Sequence, residues 1–176
     1  MLKLTVPGVP DIYQGSELWD FSLVDPDNRR PVDYPGREQA LAALPGADGA
    51  GSLLDTWRDG RIKLFVTRTL LPFRREHPEL FAKGGYQPLE MTGALAKCSV
   101  AFARATESHH VVVIVARHSS CVGAPPIGAA WQDTAVSLET ARGEWRNLFT
   151  GREHTGALRL AEVLAEFPVA VLVEQR

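Results

Sequence analysis

The chain has few residues that could build a metal centre, a membrane span or a nucleic-acid surface. Cysteine occurs only twice, at Cys98 and Cys121, and neither position has a spacing typical of metal or redox sites. The 19 basic and 21 acidic side chains leave a net charge of −2, which provides no basic surface for nucleic acid or anionic lipid. The longest aliphatic run, Val111 to Ala116, is too short to cross a bilayer. We therefore predict a cytoplasmic protein with reduced thiols and no nucleic-acid or membrane partner.

The sequence also lacks three kinds of motif that would indicate a particular catalytic or metal-binding chemistry. No serine nucleophile motif, glycine-rich phosphate loop or paired Cys-x-x-Cys motif occurs. His110 and His118, on one extended strand, would lie roughly 26 Å apart, too far to share an ion. The acidic run Asp25-Pro26-Asp27-Asn28 resembles a calcium loop but lacks its glycine and terminal glutamate. The sequence thus predicts neither a metal site nor a cofactor.

A short apolar segment at the start of the chain leads into a long polar loop. Val9–Tyr13, bounded by Pro10 and Gly15, is predicted to be a buried strand, and residues 14–37 form the loop. A strand followed by acids, arginines and aromatics is typical of the carboxyl face of a β/α barrel. Because loops of this length in compact domains usually carry function, we expect a binding surface here.

A stronger helix follows two weaker elements, a short helix at Glu38–Leu44 and a flexible link at Gly46–Ser52. Apolar residues recur at spacings of three and four between Gly60 and His77, which indicates an amphipathic helix. Pro72 removes one backbone hydrogen bond, so we expect a kink or break near Leu71.

Short strands dominate the chain after the glycine pair at 84–85. Their pattern indicates an all-β sandwich or small barrel, so we predict two parts, residues 1–83 and residues 84–176. The strand Val111–Arg117 should be central in its sheet, since Val111 to Ala116 has no polar alternation and must be covered on both faces. The predicted strands are Ser99–Arg104, Val111–Arg117, Ala135–Leu138, Trp145–Phe149, Ala157–Leu160 and Val169–Glu174.

The first part cannot bury its own apolar surface. One strand and one amphipathic helix leave faces that other barrel units would normally cover, so we expect these units to lie upstream of Met1 in a longer protein. Without them, the separate chain should self-associate or leave residues 1–58 disordered.

Six loop residues are predicted to lie nearest a sugar substrate. The aromatic rings offer flat apolar faces, the carboxylates accept hydrogen bonds from hydroxyls and the guanidinium groups donate them. Five of them also have a simpler interpretation: packing for the aromatic ring of Tyr13, a solvated surface for the arginines, and capping of their own turn for Glu17 and Asp20. Asp25 and Asp27 could merely cap their own turn. The six residues are Tyr13, Glu17, Trp19, Asp20, Arg29 and Arg30.

Several segments resemble a known family. Gly8–Glu17 is similar to the eighth barrel strand of the α-amylase superfamily, and the longer motif that runs through Asp20 and Leu23–Tyr34 resembles the maltooligosyltrehalose synthase family. The resemblance covers nearly all of this chain but only about the last quarter of such an enzyme. The other segments that carry it are Asp59–Phe65 and Arg74–Phe81, similar to the last barrel helix, and Gly143–Asn147 and Phe167–Ala170, similar to the C-terminal β domain.

This resemblance implies a fold and a reaction. The fold would be an α+β fragment: the last βα unit of a TIM (β/α)8 barrel, with strand, active-site loop and helix in residues 1–83, then a β-sandwich domain in 84–176. The family is an isomerase, a (1→4)-α-D-glucan 1-α-D-glucosylmutase, which turns the reducing-end α-1,4 linkage of a maltooligosaccharide into an α,α-1,1 linkage. Its catalytic acids follow strands four, five and seven, all upstream of Val9. We therefore predict no catalytic residue here and an inactive chain.

Two alternatives remain open at this point. The chain could be a stand-alone glucan-binding or scaffold β module without chemistry. It could also be the tail of another α-amylase-superfamily hydrolase, whose products would be free glucose or shorter dextrins.

Overall fold

The computed structural model describes residues 1–137 and 143–175, in which helices come mainly first and strands follow. The described helices are α1 (Leu2–Thr5), α2 (Tyr34–Ala42), α3 (Arg61–Glu76), α4 (Pro78–Ala82), α5 (Ser119–Val122) and α6 (Leu160–Val163). The described strands are β1 (Gly85–Leu89), β2 (Met91–Thr92), β3 (Ser99–Ala105), β4 (His110–Ala116), β5 (Ala135–Val136), β6 (Glu144–Asn147), β7 (Glu153–Thr155) and β8 (Val169–Gln175). None of the helices in these ranges combines the length and hydropathy needed to cross a membrane.

Six strands form one antiparallel sheet in the order β1-β3-β4-β8-β6-β7, and β2 pairs with β5 in a second, small sheet. Strand β4 lies between β3 and β8, and every residue of Val111–Val115 is at most 6% exposed. Val111 and Val113 pack on one face, whereas Val112 and Ile114 pack on the other. The prediction of a central strand covered on both faces is therefore confirmed.

Helix α3 covers one face of the large sheet. Its buried residues include Leu64, Phe65, Leu70 and Phe73, which belong to the same cluster as the sheet residues on that face. The helix continues through Pro72 to Glu76, so of the predicted kink or break the break is wrong. Leu70 and Phe73 are buried on either side of the proline, and this packing offsets the missing hydrogen bond.

An aromatic trio joins α3 to the later part of the chain. The ring centroid of Phe65 lies 5.6 Å from that of Phe167 and 6.2 Å from that of Phe149. The rings of Phe149 and Phe167 are 5.3 Å apart. The two predicted parts of the chain thus share one apolar cluster, with the apolar face of α3 buried against the sheet.

A buried arginine, Arg104, also connects the first predicted part of the chain with the second. Arg104 on β3 is 1% exposed, and its guanidinium donates hydrogen bonds only to backbone carbonyls within the described residues. Burial lowers the pKa of this group below its ordinary value, with Arg74 as a lesser cause. The carbonyls belong to Thr5, Leu80, Phe81, Gly84 and Gly85, at 2.9–3.2 Å.

The opposite face of the large sheet is covered by loops, α6 and the small sheet. Trp131, Leu158, Leu160 and Leu164 are fully buried there. The second layer of the expected sandwich is therefore only partly β structure.

Several local predictions are wrong. Val9–Tyr13 forms no strand, and Val9 is 98% exposed, because a strand needs a neighbour and none of the described strands pairs with it. The predicted strand Ala157–Leu160 makes one isolated bridge, between Ala135 and Arg159, and then enters α6.

The segment predicted to be a flexible link, residues 46–52, is mostly a 3-10 helix, Ala47–Leu54, with Ala50 and Leu53 buried. Strands β1 and β2 were not predicted. Strand β5 ends at Val136, and the predicted end at Leu138 lies outside the described residues.

Candidate functional site

The predicted loop at residues 14–37 ends earlier, because α2 begins at Tyr34, and Arg37 in the first turns of α2 connects its two ends. The Arg37 Nε donates to Glu17 Oε2 at 2.9 Å, and its Nη2 donates to the Gly15 carbonyl at 2.7 Å. Its Nη1 reaches the Asp33 carbonyl at 3.0 Å. The ion pair is less than a third exposed on both sides, so the carboxylate of Glu17 has a fixed position.

Trp19 is held against the turn that precedes α3. Its indole Nε1 donates to the carbonyl oxygen of Trp57 at 2.7 Å, across 38 residues of sequence. The side chain of Trp19 remains 38% exposed and that of Trp57 is 48% exposed. The Trp19 ring thus contacts the backbone of Trp57, and both tryptophans stay partly exposed at the surface.

Gly60 permits this close approach of loop and turn. Its φ is +83°, and a Cβ at this position would lie 2.8 Å from the Trp19 backbone nitrogen, so only glycine fits without strain. Lys63 on α3 makes a second connection to the loop, because its Nζ donates a hydrogen bond to the Leu18 carbonyl at 2.8 Å. Burial lowers the pKa of this lysine, while the charges of Asp20 and Glu17 oppose that shift.

Asp20 is exposed and stabilises its own turn. Its Oδ1 accepts hydrogen bonds from the Ser22 backbone nitrogen at 2.9 Å and the Ser22 hydroxyl at 2.5 Å. These bonds from Ser22 lower the pKa of the Asp20 carboxyl. The lowered pKa keeps this carboxylate an ionised hydrogen-bond acceptor at the surface.

Arg29 and Arg30 lie in an exposed turn and pair with acids of the same turn. Arg29 Nη2 donates to Asp25 Oδ2 at 2.7 Å, and Arg30 pairs with Asp27. Asp27 also accepts a hydrogen bond from the Leu23 backbone nitrogen at 2.9 Å, as its turn-capping interpretation requires. Both arginine side chains are more than two thirds exposed.

Tyr13 is 49% exposed, so packing has not buried its ring. Its carbonyl accepts hydrogen bonds from the Ser16 backbone nitrogen at 3.1 Å and hydroxyl at 2.6 Å, which turns the chain towards Glu17 and Trp19. The structure therefore brings Glu17, Trp19 and the Tyr13 turn together, whereas Arg29 and Arg30 form a separate group.

A largely apolar groove of about 530 Å³ lies beside Trp19. Ile12, Ile62 and Val66 form part of its apolar wall, and Lys63 stands at its polar side. Its position next to the loop gives the candidate site a concave edge.

Two residues of this site escaped prediction from the sequence, Arg37 and Trp57. Arg37 follows an Asp-Tyr-Pro-Gly helix start, and Trp57 precedes the Asp59-Gly60 turn, so each is adjacent to a recognisable turn. Neither turn motif indicates which residue of the polar loop Arg37 or Trp57 would contact. Over residues 1–137 and 143–175, no group of three or more histidine, cysteine or acidic side chains could hold a metal ion.

Comparison with known proteins gives long matches at moderate identity. The chain is 42% identical over 173 residues to a Mycobacterium tuberculosis protein named as a maltooligosyl trehalose synthase, found in two strains. The match covers 98% of this chain and 20% of that protein. No family model matches. The sequence resemblance predicted above is confirmed.

A search of solved structures also finds similarity to a maltooligosyltrehalose synthase. The maltooligosyltrehalose synthase of Arthrobacter ramosus superimposes with a TM-score of 0.77 at 38% identity, over 99% of this chain and 21% of that one. An Anoxybacillus α-amylase matches with a TM-score of 0.60 at 19% identity, which shows a shared fold alone. The match lies in the C-terminal part of these proteins, and the chain spans about a fifth of the length of the curated relatives.

Proposed function

We propose that this chain is the C-terminal portion of a maltooligosyltrehalose synthase, an intramolecular α-glucan transglycosylase of the isomerase class. The reaction moves the reducing-end glucose of a maltooligosaccharide from an α-1,4 to an α,α-1,1 linkage. The observation that carries the proposal is 42% identity across 98% of the chain to a protein with that name. Residues 1–83 would complete the catalytic barrel as its last βα unit, and residues 84–176 would form the C-terminal β domain, in the cytoplasm.

The proposed role of the loop is to position substrate, since the catalytic acids would lie upstream. The carboxylates of Glu17 and Asp20 accept hydrogen bonds from sugar hydroxyls, and the ring of Trp19 stacks on a glucose face. Arg37 supports this role because it fixes Glu17 before substrate arrives. Tyr13, Arg29 and Arg30 complete the set of proposed substrate contacts.

A chimeric enzyme tests the proposed activity. The matching 173-residue segment of the Mycobacterium protein is replaced by the corresponding part of this chain. We expect the chimera to convert maltopentaose into a non-reducing product, measured as loss of reducing ends, and the separate chain to produce none because it lacks the catalytic acids.

The upstream segment alone, without any C-terminal portion, is the control for the chimera. Turnover by the separate chain would refute its proposed inactivity. A folded chimera that releases glucose or shorter dextrins would favour another hydrolase of the superfamily, and a folded chimera without turnover would contradict the proposed function.

Replacement of Arg29 by alanine tests the loop. If the guanidinium donates a charge-assisted hydrogen bond to substrate, worth roughly 1.5–3 kcal/mol, kcat/KM of the chimera should fall about tenfold or more. Arg75→Ala, at an exposed position of α3, is the matched control and should leave the kinetics unchanged. Equal kinetics for both variants would place Arg29 outside the substrate site.

Self-association of the separate chain stays a prediction. It is supported by apolar side chains left at the surface of the loop, with Phe21 89%, Leu23 77% and Val24 84% exposed. Light scattering across a concentration series should show a mass above that of one chain. A constant monomer mass would contradict the prediction.

A further inference from the structure

Trp57 is accessible enough to bind a ligand, and its side chain has no role in the site described above. The side chains of Trp57 and Trp19 are 48% and 38% exposed, whereas Trp131 and Trp145 are 0% and 2% exposed. Tryptophan is on average highly buried, and an indole that stays accessible provides a flat apolar surface for a ligand.

The Trp19 ring is positioned against the Trp57 backbone before any ligand binds. The 2.7 Å hydrogen bond from Trp19 Nε1 ends on the backbone carbonyl of Trp57, so it fixes the Trp19 ring without using the Trp57 side chain. The absence of a Cβ at Gly60 lets the backbones of the two segments approach closely. Because the Trp19 ring is already positioned, a ligand would lose little binding energy to its ordering.

A cation stands over each ring. The Arg58 guanidinium carbon lies 4.9 Å from the ring centroid of Trp57, and Lys63 Nζ lies 5.8 Å from that of Trp19. Each cation occupies one side of its ring and places N–H donors beside it. The surface therefore combines flat apolar area with donors at its rim.

We propose that Trp57 and Trp19 together form a stacking site for the glucose rings of an α-1,4-glucan, with Arg58 and Lys63 donating hydrogen bonds to sugar hydroxyls. A pyranose ring matches this surface because it has an apolar C–H face and a rim of hydroxyls. The choice of glucan rests on the proposed function, whereas the site itself rests on the two indoles and their cations. Trp57 thereby extends the substrate surface beyond the loop at residues 14–37.

Tryptophan fluorescence of this chain measures the proposal directly. Since Trp131 and Trp145 are buried, a neutral quencher such as acrylamide reaches mainly Trp19 and Trp57. Maltoheptaose should protect both from quenching, and an equal mass of sucrose should not. Trp57→Ala should raise the Kd for maltoheptaose about tenfold, and Trp57→Phe should recover part of the affinity.

The variant design separates binding from folding. Trp57→Ala keeps the backbone carbonyl that positions Trp19, so far-UV circular dichroism and thermal unfolding should match those of the unsubstituted chain. The control for binding is Tyr86→Ala, at a tyrosine 45% exposed on β1. The control should bind maltoheptaose like the unsubstituted chain. Unchanged affinity of the Trp57→Ala chain, or no protection of the unsubstituted chain, would overturn the proposal. The chimera assay judges the proposed activity separately, because turnover there does not require that Trp57 contact glucan.

Discussion

Replacement of Arg104 by methionine is expected to lower the free energy of unfolding by about 3–5 kcal/mol. The guanidinium is buried and donates to five carbonyl oxygens from three segments of the chain. Methionine fills much of the volume but donates nothing, so several buried carbonyls lose a partner. Urea denaturation followed by circular dichroism measures the loss.

Arg75→Met is the matched control for this prediction. Arg75 is exposed on α3, and its replacement should change the free energy of unfolding by less than about 0.5 kcal/mol. If the two variants unfolded at the same urea concentration, Arg104 would not be the connection between β3, α1 and α4 that the hydrogen bonds indicate.

Replacement of Phe65 by alanine should cost about 3–5 kcal/mol of stability. Phe65 is 1% exposed and contacts the rings of Phe149 and Phe167, so alanine leaves a cavity between α3 and the later part of the chain. Phe21→Ala is the control, because Phe21 is 89% exposed and its loss should be nearly neutral. Thermal unfolding of both variants makes the comparison.

The number of thermal unfolding transitions of the Phe65→Ala variant tests a second point, whether the two parts of the chain unfold together. A single cooperative transition at lower temperature is expected, because residues 1–83 and 84–176 share the aromatic cluster. Two separate transitions, with only one of them shifted, would mean that the two parts fold independently.

Elements with strong local patterns were predicted from the sequence. Helix α3 was recognised because its apolar residues recur at helical spacing, and β4 because Val111–Val115 is a continuous aliphatic run. The resemblance in the loop segment likewise depended on a contiguous motif. Signals of this kind lie within a few neighbouring residues, so they can be read along the chain.

Predictions that depended on a partner were wrong or were not made. Val9–Tyr13 has an apolar strand composition, but strand structure needs hydrogen bonds to a second strand, and none of the described strands supplies them. Trp57 and Arg37 gave no sequence signal of their contacts with Trp19 and Glu17, which lie 38 and 20 residues away.

Helix α3, the central strand β4 and the polar loop that carries most candidate substrate contacts were all predictable from the order of residues along the chain. Periodicity and turn residues are local properties, and each of these elements follows from them. Only folding in three dimensions shows that Arg104 joins three segments, that the two predicted parts share one core, and that the Trp19 indole bonds to the Trp57 backbone. Those arrangements depend on hydrogen bonds and packing between residues far apart in the chain, for which no spacing rule exists.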